Sequence, residues 1–286
     1  MNSINFINKS GFKAEIFNAD SLELMRTLPD NSVDLIMTSP PYADQRKNTY
    51  GGVKPDEYVE WFLPFSKEML RILKPEGSFV LNIKEKVVKG ERHTYVLKLI
   101  LALREQGWLW TEEYIWAKSN SFPGKWPNRL RDGWERCLHF NKNKKFNMYQ
   151  DAVKVPIGDW AKTRLKNLSE KDKQRDNSKV GSGFGKNISN WVGKKLVLPD
   201  NVLKLAPESG NKNHSAVYPK ALPEWFIKLF TVEGDVVLDP FTGSGTTNLV
   251  ALNMNRNSIG IEQLENNYEV IKERLLNKGK DIVQQP

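Results

Sequence analysis

Val236-Val237-Leu238-Asp239-Pro240-Phe241-Thr242-Gly243-Ser244-Gly245-Thr246-Thr247 reads as a short apolar strand, a glycine turn and the first turn of a helix that continues through Leu249, Val250 and Leu252. A strand fed directly into a helix is half of a strand–helix–strand unit, and such units build parallel sheets with helices on both faces. The glycines let the backbone pass close to a ligand, and the helix start offers unpartnered amides and hydroxyls. A further strand, Ser258-Ile259-Gly260-Ile261-Glu262, ends in an acid seventeen positions after Gly245. An acid at that tip is placed to accept hydrogen bonds from ribose hydroxyls.

Other nucleotide sites fit less well. A phosphate-binding P-loop needs a lysine after its last glycine, where this chain has Thr246. The dinucleotide fingerprint wants a third glycine where Asn248 stands. A tight turn that holds no ligand is the plain alternative.

The remaining pattern alternates in the same way. Ala14 to Asn18 is a short strand running to Asp20, Ser21 to Leu28 a helix, and Pro29 to Ser32 a turn. Pro55 to Leu73 is a helix with Tyr58, Phe62, Phe65, Met69 and Ile72 on one side. Ser78 to Ile83 is a strand, Tyr95 to Gln106 a helix closed by Gly107, and Trp108 to Ala117 and Glu135 to Phe140 are strands. Beyond Asn141 the periodicity decays into lysine, asparagine and serine, with a glycine-rich stretch from Ser178 to Gly185. It returns with Pro223 to Phe230, a helix begun by proline. The fold expected is an open, mostly parallel α/β sheet.

The run Val33-Asp34-Leu35-Ile36-Met37 leads into Thr38-Ser39-Pro40-Pro41-Tyr42. A proline pair after a strand is ordinarily a stop signal. This one also places a hydroxyl, a rigid carbonyl and an aromatic ring together at a strand's carboxyl end. That combination suits a planar ring bearing an amino group. In an open parallel sheet, ligands bind beyond the carboxyl ends of the strands, so Asp20, Tyr42, Gly243 and Glu262 can share one crevice.

With Ser39 to Tyr42 first, a long middle segment, and Asp239 to Thr247 last, the chain resembles the beta class of S-adenosylmethionine-dependent amino-group DNA methyltransferases. The likeness covers most of the chain outside residues 119 to 213. It implies a Rossmann-like methyltransferase sheet with an antiparallel edge hairpin. Residues 1–118 would carry the catalytic part, 119–213 a target-recognition region whose strand near 135–140 joins the core sheet, and 214–286 the cofactor part. Catalysis is implied for Ser39, Pro40, Pro41 and Tyr42. Cofactor binding is implied for Asp20, Thr38, Asp239, Pro240, Phe241, Gly243, Ser244, Gly245, Thr246 and Glu262. Asp20 would approach the adenine amino group, and its other reading is a cap for the helix starting at Ser21. The segment His214 to Lys220 resembles a remaining wall of the cofactor site. A serine at the head of the Pro-Pro-Tyr motif goes with the N4 amino group of cytosine, an aspartate with adenine.

The implied partner is double-stranded DNA, with a restriction endonuclease as genetic partner and a homodimer left open. Charge agrees: the chain carries a formal net charge of +9, and residues 118 to 213 hold 21 Lys and Arg against 9 Asp and Glu. The flanks are therefore slightly acidic. Lys142, Lys144 and Lys145 suit phosphate contacts, and Arg129, Arg131, Arg164 and Arg175 could read guanine edges; the plain alternative for each is a solvated charge. The lone Cys137 excludes an internal disulfide, and His93, His139 and His214 lack ligand spacing, so no metal is expected. No stretch has membrane-spanning length and the amino terminus has no leader pattern, so the expected place is the cytoplasm. The competing functions are an adenine or RNA methyltransferase of the same fold and a catalytically silent DNA-binding protein.

Overall fold

The computed structural model describes residues 2–44, 52–121, 127–159, 163, 165–166, 169, 192–208, 218–278 and 282–285. They fall into two compact units, 1–149 with 201–286, and 150–200. In chain order the first unit contains β1 (Asn2–Asn8), β2 (Lys13–Asn18), α1 (Ser21–Thr27), β3 (Val33–Thr38), α2 (Tyr58–Ile72), β4 (Leu73–Ile83) and α3 (Tyr95–Glu105). It continues with β5 (Leu109–Lys118), β6 (Trp134–Asn141), β7 (Val202–Leu205), α4 (Ala221–Phe230) and β8 (Val236–Asp239). It ends with α5 (Thr246–Asn253), β9 (Asn257–Glu262), α6 (Glu265–Lys278) and β10 (Ile282–Gln285).

Among the described residues ten strands make one sheet, in the order β7-β5-β6-β4-β3-β8-β9-β2-β1-β10. The five strands from β4 to β2 in that order are mutually parallel, as the strand–helix alternation requires. β6 runs antiparallel to both β4 and β5, which makes the edge hairpin implied by the family likeness. β3 is buried along its whole length, consistent with a central strand covered on both faces. In β2 the alternation is explicit: Ala14 and Ile16 belong to the cluster that includes Leu249, Ile271 and Leu275, while Phe17 packs against the cluster under α1, α2 and α3.

The α2 face read from periodicity is the buried one: Tyr58, Phe62, Phe65, Met69 and Ile72 all lie in the core. Burial of each such side chain contributes roughly 1.5–3 kcal/mol. The helix starts at Tyr58 rather than Pro55, because the preceding residues form a turn in which Glu57 N bonds Lys54 O at 3.0 Å. α4 begins two residues before Pro223, which sits in the first helical turn, where a missing amide hydrogen costs no intrahelical bond.

The terminal strands were not anticipated. β1 and β10 pair with each other, so the last described residues extend an edge begun by the first ones. β10 is only four residues long, too short for a periodic signal, and its partner lies at the other end of the chain. The unit 150–200 contains the 3-10 turn Gln150–Val153 and a two-stranded ladder of Val155–Pro156 with Leu196–Val197. The glycine-rich stretch 178–185 lies outside the described residues. No helix among those described is long and apolar enough to cross a membrane.

Candidate active site

Asp20 follows β2, Thr38 ends β3 and leads into Ser39 to Tyr42, Asp239 ends β8 and leads into the turn to Gly245, and Glu262 ends β9, so all four groups stand at the carboxyl edge of adjacent parallel strands. Direct bonds hold them in one place. Thr38 Oγ1 donates to Asp239 Oδ1 at 2.7 Å, across 201 positions of sequence. Ser21 Oγ donates to the Pro240 carbonyl at 2.5 Å, and Thr242 N to Ile261 O at 3.1 Å.

Asp239 is 1% exposed and organises this crossing. Its Oδ1 also accepts from Phe241 N at 3.2 Å, and its Oδ2 accepts from Thr247 Oγ1 at 2.7 Å and Tyr218 Oη at 3.1 Å. Burial raises its carboxyl pKa, while the hydrogen bonds from Thr38, Thr247, Phe241 and Tyr218 lower it. Tyr218 is described, whereas His214 to Val217 of the same segment lie outside the described residues. Burial, reinforced by Asp239, keeps the Tyr218 phenol protonated, well above its ordinary range.

The glycine turn uses its hydroxyls differently from the sequence expectation. Thr242 bonds Asn248, and Thr247 bonds Asp239 and Tyr218. Arg274, on α6, donates from Nη1 to Ser244 O at 3.0 Å, Ser244 Oγ at 2.6 Å and Thr246 Oγ1 at 2.8 Å. These hydroxyls face the protein, because the turn is pinned from behind by α6. The bend also offers a ligand its bare backbone. Gly243 and Gly245 both have positive φ, +57° and +72°, a region that side chains strain to enter. Phe241 packs on Trp61 and Phe65, with ring centroids 5.8 and 5.2 Å apart.

Glu262 is 3% exposed, and its Oε1 accepts from Leu264 N at 2.9 Å. Asp20 does cap α1: Oδ1 accepts from Leu22 N at 2.9 Å and Glu23 N at 3.0 Å. Its side chain is exposed, and no partner of Oδ2 exists among the described residues. The cap and a ligand contact can therefore coexist.

Around Tyr42 the structure supplies residues that the sequence reading missed. Tyr42 Oη donates to Glu135 Oε2 at 2.7 Å, lies 3.2 Å from Asn82 Oδ1, and is approached by Ser39 Oγ at 3.3 Å. Glu135, on β6, is 8% exposed and is paired through Oε1 with Lys118 Nζ at 2.6 Å. Burial, then the nearby Glu135 charge, push the Tyr42 phenol well above its ordinary range, so it is a hydroxyl donor at neutral pH. The Pro41 carbonyl is taken by Tyr58 Oη at 3.0 Å. The available sequence signal was an acid heading the strand expected over Glu135 to Phe140. Arg274 had no motif to mark it.

Cys137 is buried beside Asn82, and burial raises its thiol pKa, so it is no nucleophile. Burial lowers the His139 pKa to about 3 and keeps its ring neutral against Ser78 Oγ at 3.1 Å. No metal-binding cluster occurs among the described residues.

The basic candidates divide. Arg129 pairs with Asp132 at 3.4 Å and Arg131 donates to Ser121 O at 3.1 Å, both near the start of β6 and hence at the crevice edge. Lys142, Lys144 and Lys145 follow the other end of β6. Because β6 is antiparallel to β4, they lie at the amino edge of the sheet, where Lys142 Nζ donates to Asn31 Oδ1 at 2.9 Å. These lysines are not brought to the crevice. Arg164 and Arg175 lie outside the described residues.

A family model described as "DNA methylase" matches residues 33–273. The chain belongs to that DNA methylase family. It is 34% identical to the type II methyltransferase M.PvuII of Proteus hauseri, over 91% of this chain and 83% of that protein. It is 29% identical to the type II methyltransferase M.BglII of Bacillus subtilis, over 93% of this chain and 70% of that one. Among solved structures, the cytosine-N4-specific PvuII DNA methyltransferase superposes with a TM-score of 0.64 at 28% identity, covering 92% of this chain and 93% of that one. For this DNA methylase, the matched span contains both the Ser39 to Tyr42 segment and the Asp239 to Glu262 region.

Proposed function

We propose that this DNA methylase transfers a methyl group to the N4 amino nitrogen of a cytosine flipped out of double-stranded DNA, as the modification enzyme of a type II restriction system. The supporting observation is the 2.7 Å bond from Thr38 to Asp239, which joins the amino-binding motif to the glycine turn at one strand edge. N4 specificity is argued from Ser39 at the head of the motif and from similarity to a relative named cytosine-N4-specific.

The crevice fits S-adenosyl-L-methionine by its residues. Gly243 and Gly245 bring bare backbone to the bend, Glu262 sits at the tip of β9 to take ribose hydroxyls, and Asp20 keeps one oxygen for the adenine amino group. Thr38, Asp239, Pro240, Phe241, Ser244 and Thr246 shape that wall. When bound, this cofactor would supply an electrophilic sulfonium methyl to the amino nitrogen. An exocyclic amino nitrogen is a weak nucleophile, its lone pair being delocalised into the ring. The Ser39 hydroxyl and the Pro40 carbonyl accept its two hydrogens, which favours a pyramidal nitrogen with its lone pair free, while Pro41 fixes the turn. Orientation is the main catalytic device. Flipping the base costs a few kcal/mol, and stacking on Tyr42 offsets roughly 1–3 kcal/mol of it.

The middle segment 119–213, including Arg129, Arg131, Arg164 and Arg175, is proposed to supply target recognition. A partner endonuclease and a homodimer belong to the same reading.

Nucleoside mass spectrometry, with single-molecule sequencing of DNA from a host expressing the chain, tests the reading. N4-methylcytosine at one recurring sequence is the expected result. N6-methyladenine alone would overturn the choice of base, and no modified base would favour a silent DNA-binding protein.

Gly245→Ala probes the turn. The added methyl would lie 2.8 Å from Ile271 Cγ2, at a φ of +72°. The expected result is a tenfold or larger rise in the cofactor dissociation constant, since backbone strain of about 1–3 kcal/mol must move the turn. Titration calorimetry reads it directly.

A further inference from the structure

The hydroxyl of Ser39 can either give or accept a hydrogen bond, and only an acceptor suits an amino group. We propose that Glu135 decides between these, acting as a positioning residue that makes Ser39 an acceptor and thereby selects amino-bearing bases over carbonyl-bearing ones. The inference rests on the proposed placement of Ser39 against the target amino group.

The geometry runs as a chain of donors. Both oxygens of the buried Glu135 are held, Oε1 by Lys118 Nζ at 2.6 Å and Oε2 by Tyr42 Oη at 2.7 Å. A carboxylate has no hydrogen to give, so the hydrogen of the shorter Tyr42 bond is the phenol's own. The other neighbour, Asn82, turns its Nδ2 to the Arg136 carbonyl at 3.1 Å and so presents Oδ1 to Tyr42. With its single hydrogen committed, Tyr42 Oη can only accept from Ser39 Oγ, 3.3 Å away. Ser39 then gives its hydrogen to Tyr42, and the lone pairs of Oγ remain for the substrate. An exocyclic amino group meets them with a donor. A carbonyl oxygen at the same ring position meets lone pair with lone pair and is refused.

The test is a mutant cycle on the full-length protein, read as single-turnover transfer of tritiated methyl to unmodified phage DNA, beside the cofactor dissociation constant. Glu135→Gln leaves the amide oxygen to Lys118 and turns an NH2 toward Tyr42, so the direction of the chain is lost. The expected rate falls about 10- to 100-fold, the loss of one charge-assisted hydrogen bond, while cofactor affinity stays within about twofold. In a Tyr42→Phe background the same change should have almost no further effect, because Glu135 acts through the phenol. A Glu135→Gln rate equal to wild type, or effects that multiply in the double variant, would overturn the inference. Should Glu135→Gln fail to bind cofactor, Glu135→Gln with Lys118→Met carries the test with no buried charge left unpaired. Ser39→Ala separates the two levels: full activity there sinks the placement of Ser39, whereas a dead Ser39→Ala with a wild-type Glu135→Gln sinks only the role of Glu135.

Discussion

Tyr42→Ala is expected to lower single-turnover methyl transfer by about 100-fold or more while the dissociation constant for S-adenosyl-L-methionine changes less than about threefold. The ring is half-buried beside Ser39, and its removal takes away a stacking surface worth roughly 1–3 kcal/mol for an extruded base. It also removes the donor to Glu135 at 2.7 Å, which frees the Ser39 hydroxyl from its enforced direction. The two losses fall on the base and not on the cofactor. Tyr42→Phe keeps the ring and loses only the hydroxyl, so its defect should be smaller, about tenfold. Filter-binding kinetics with tritiated cofactor separate the two. A Tyr42→Ala protein that turns over normally but no longer binds cofactor would refute the assignment. Because Glu135 is left buried with one oxygen unsatisfied, a loss of about 1–3 kcal/mol in stability should accompany either change, visible in denaturant unfolding.

Glu262→Ala is expected to do the reverse: cofactor affinity falls about 10- to 100-fold, and the rate at saturating cofactor stays within about threefold. Hydrogen bonds to a charged acceptor are worth roughly 1.5–3 kcal/mol each, and a carboxylate at the tip of β9 can take both hydroxyls of a ribose. The side chain also accepts from Leu264 N at 2.9 Å, so the alanine variant loosens the start of α6 as well. Glu262→Gln keeps an oxygen for that amide and removes the charge, and its affinity should fall between the two. Calorimetric titration checks this. Unchanged binding in Glu262→Ala would exclude Glu262 from the cofactor site.

Much of this architecture was legible in the chain. The strands ending at Asp239 and Glu262 and the one leading into Ser39 are short apolar runs bounded by turns, and they form where expected. The face of α2 followed from its 3.6-residue periodicity. The inward turn of Ser244 and Thr246 was not legible, because their partner Arg274 lies about thirty residues further along, on a helix with no motif. Nor was the place of Lys142. In sequence it belongs to the basic middle segment, but β6 runs antiparallel and carries it to the far edge of the sheet.

The order of residue types along the chain by itself determined a parallel, helix-covered sheet with two turns at the carboxyl edge of its strands, because strand and helix periods, proline stops and glycine bends act over a few residues. Only the tertiary structure decided which groups share a bond. Thr38 finds Asp239 across 201 positions and Tyr42 finds Glu135 across 93. A buried polar atom must be satisfied by whatever stands opposite it, and strand order, not sequence distance, sets that neighbour.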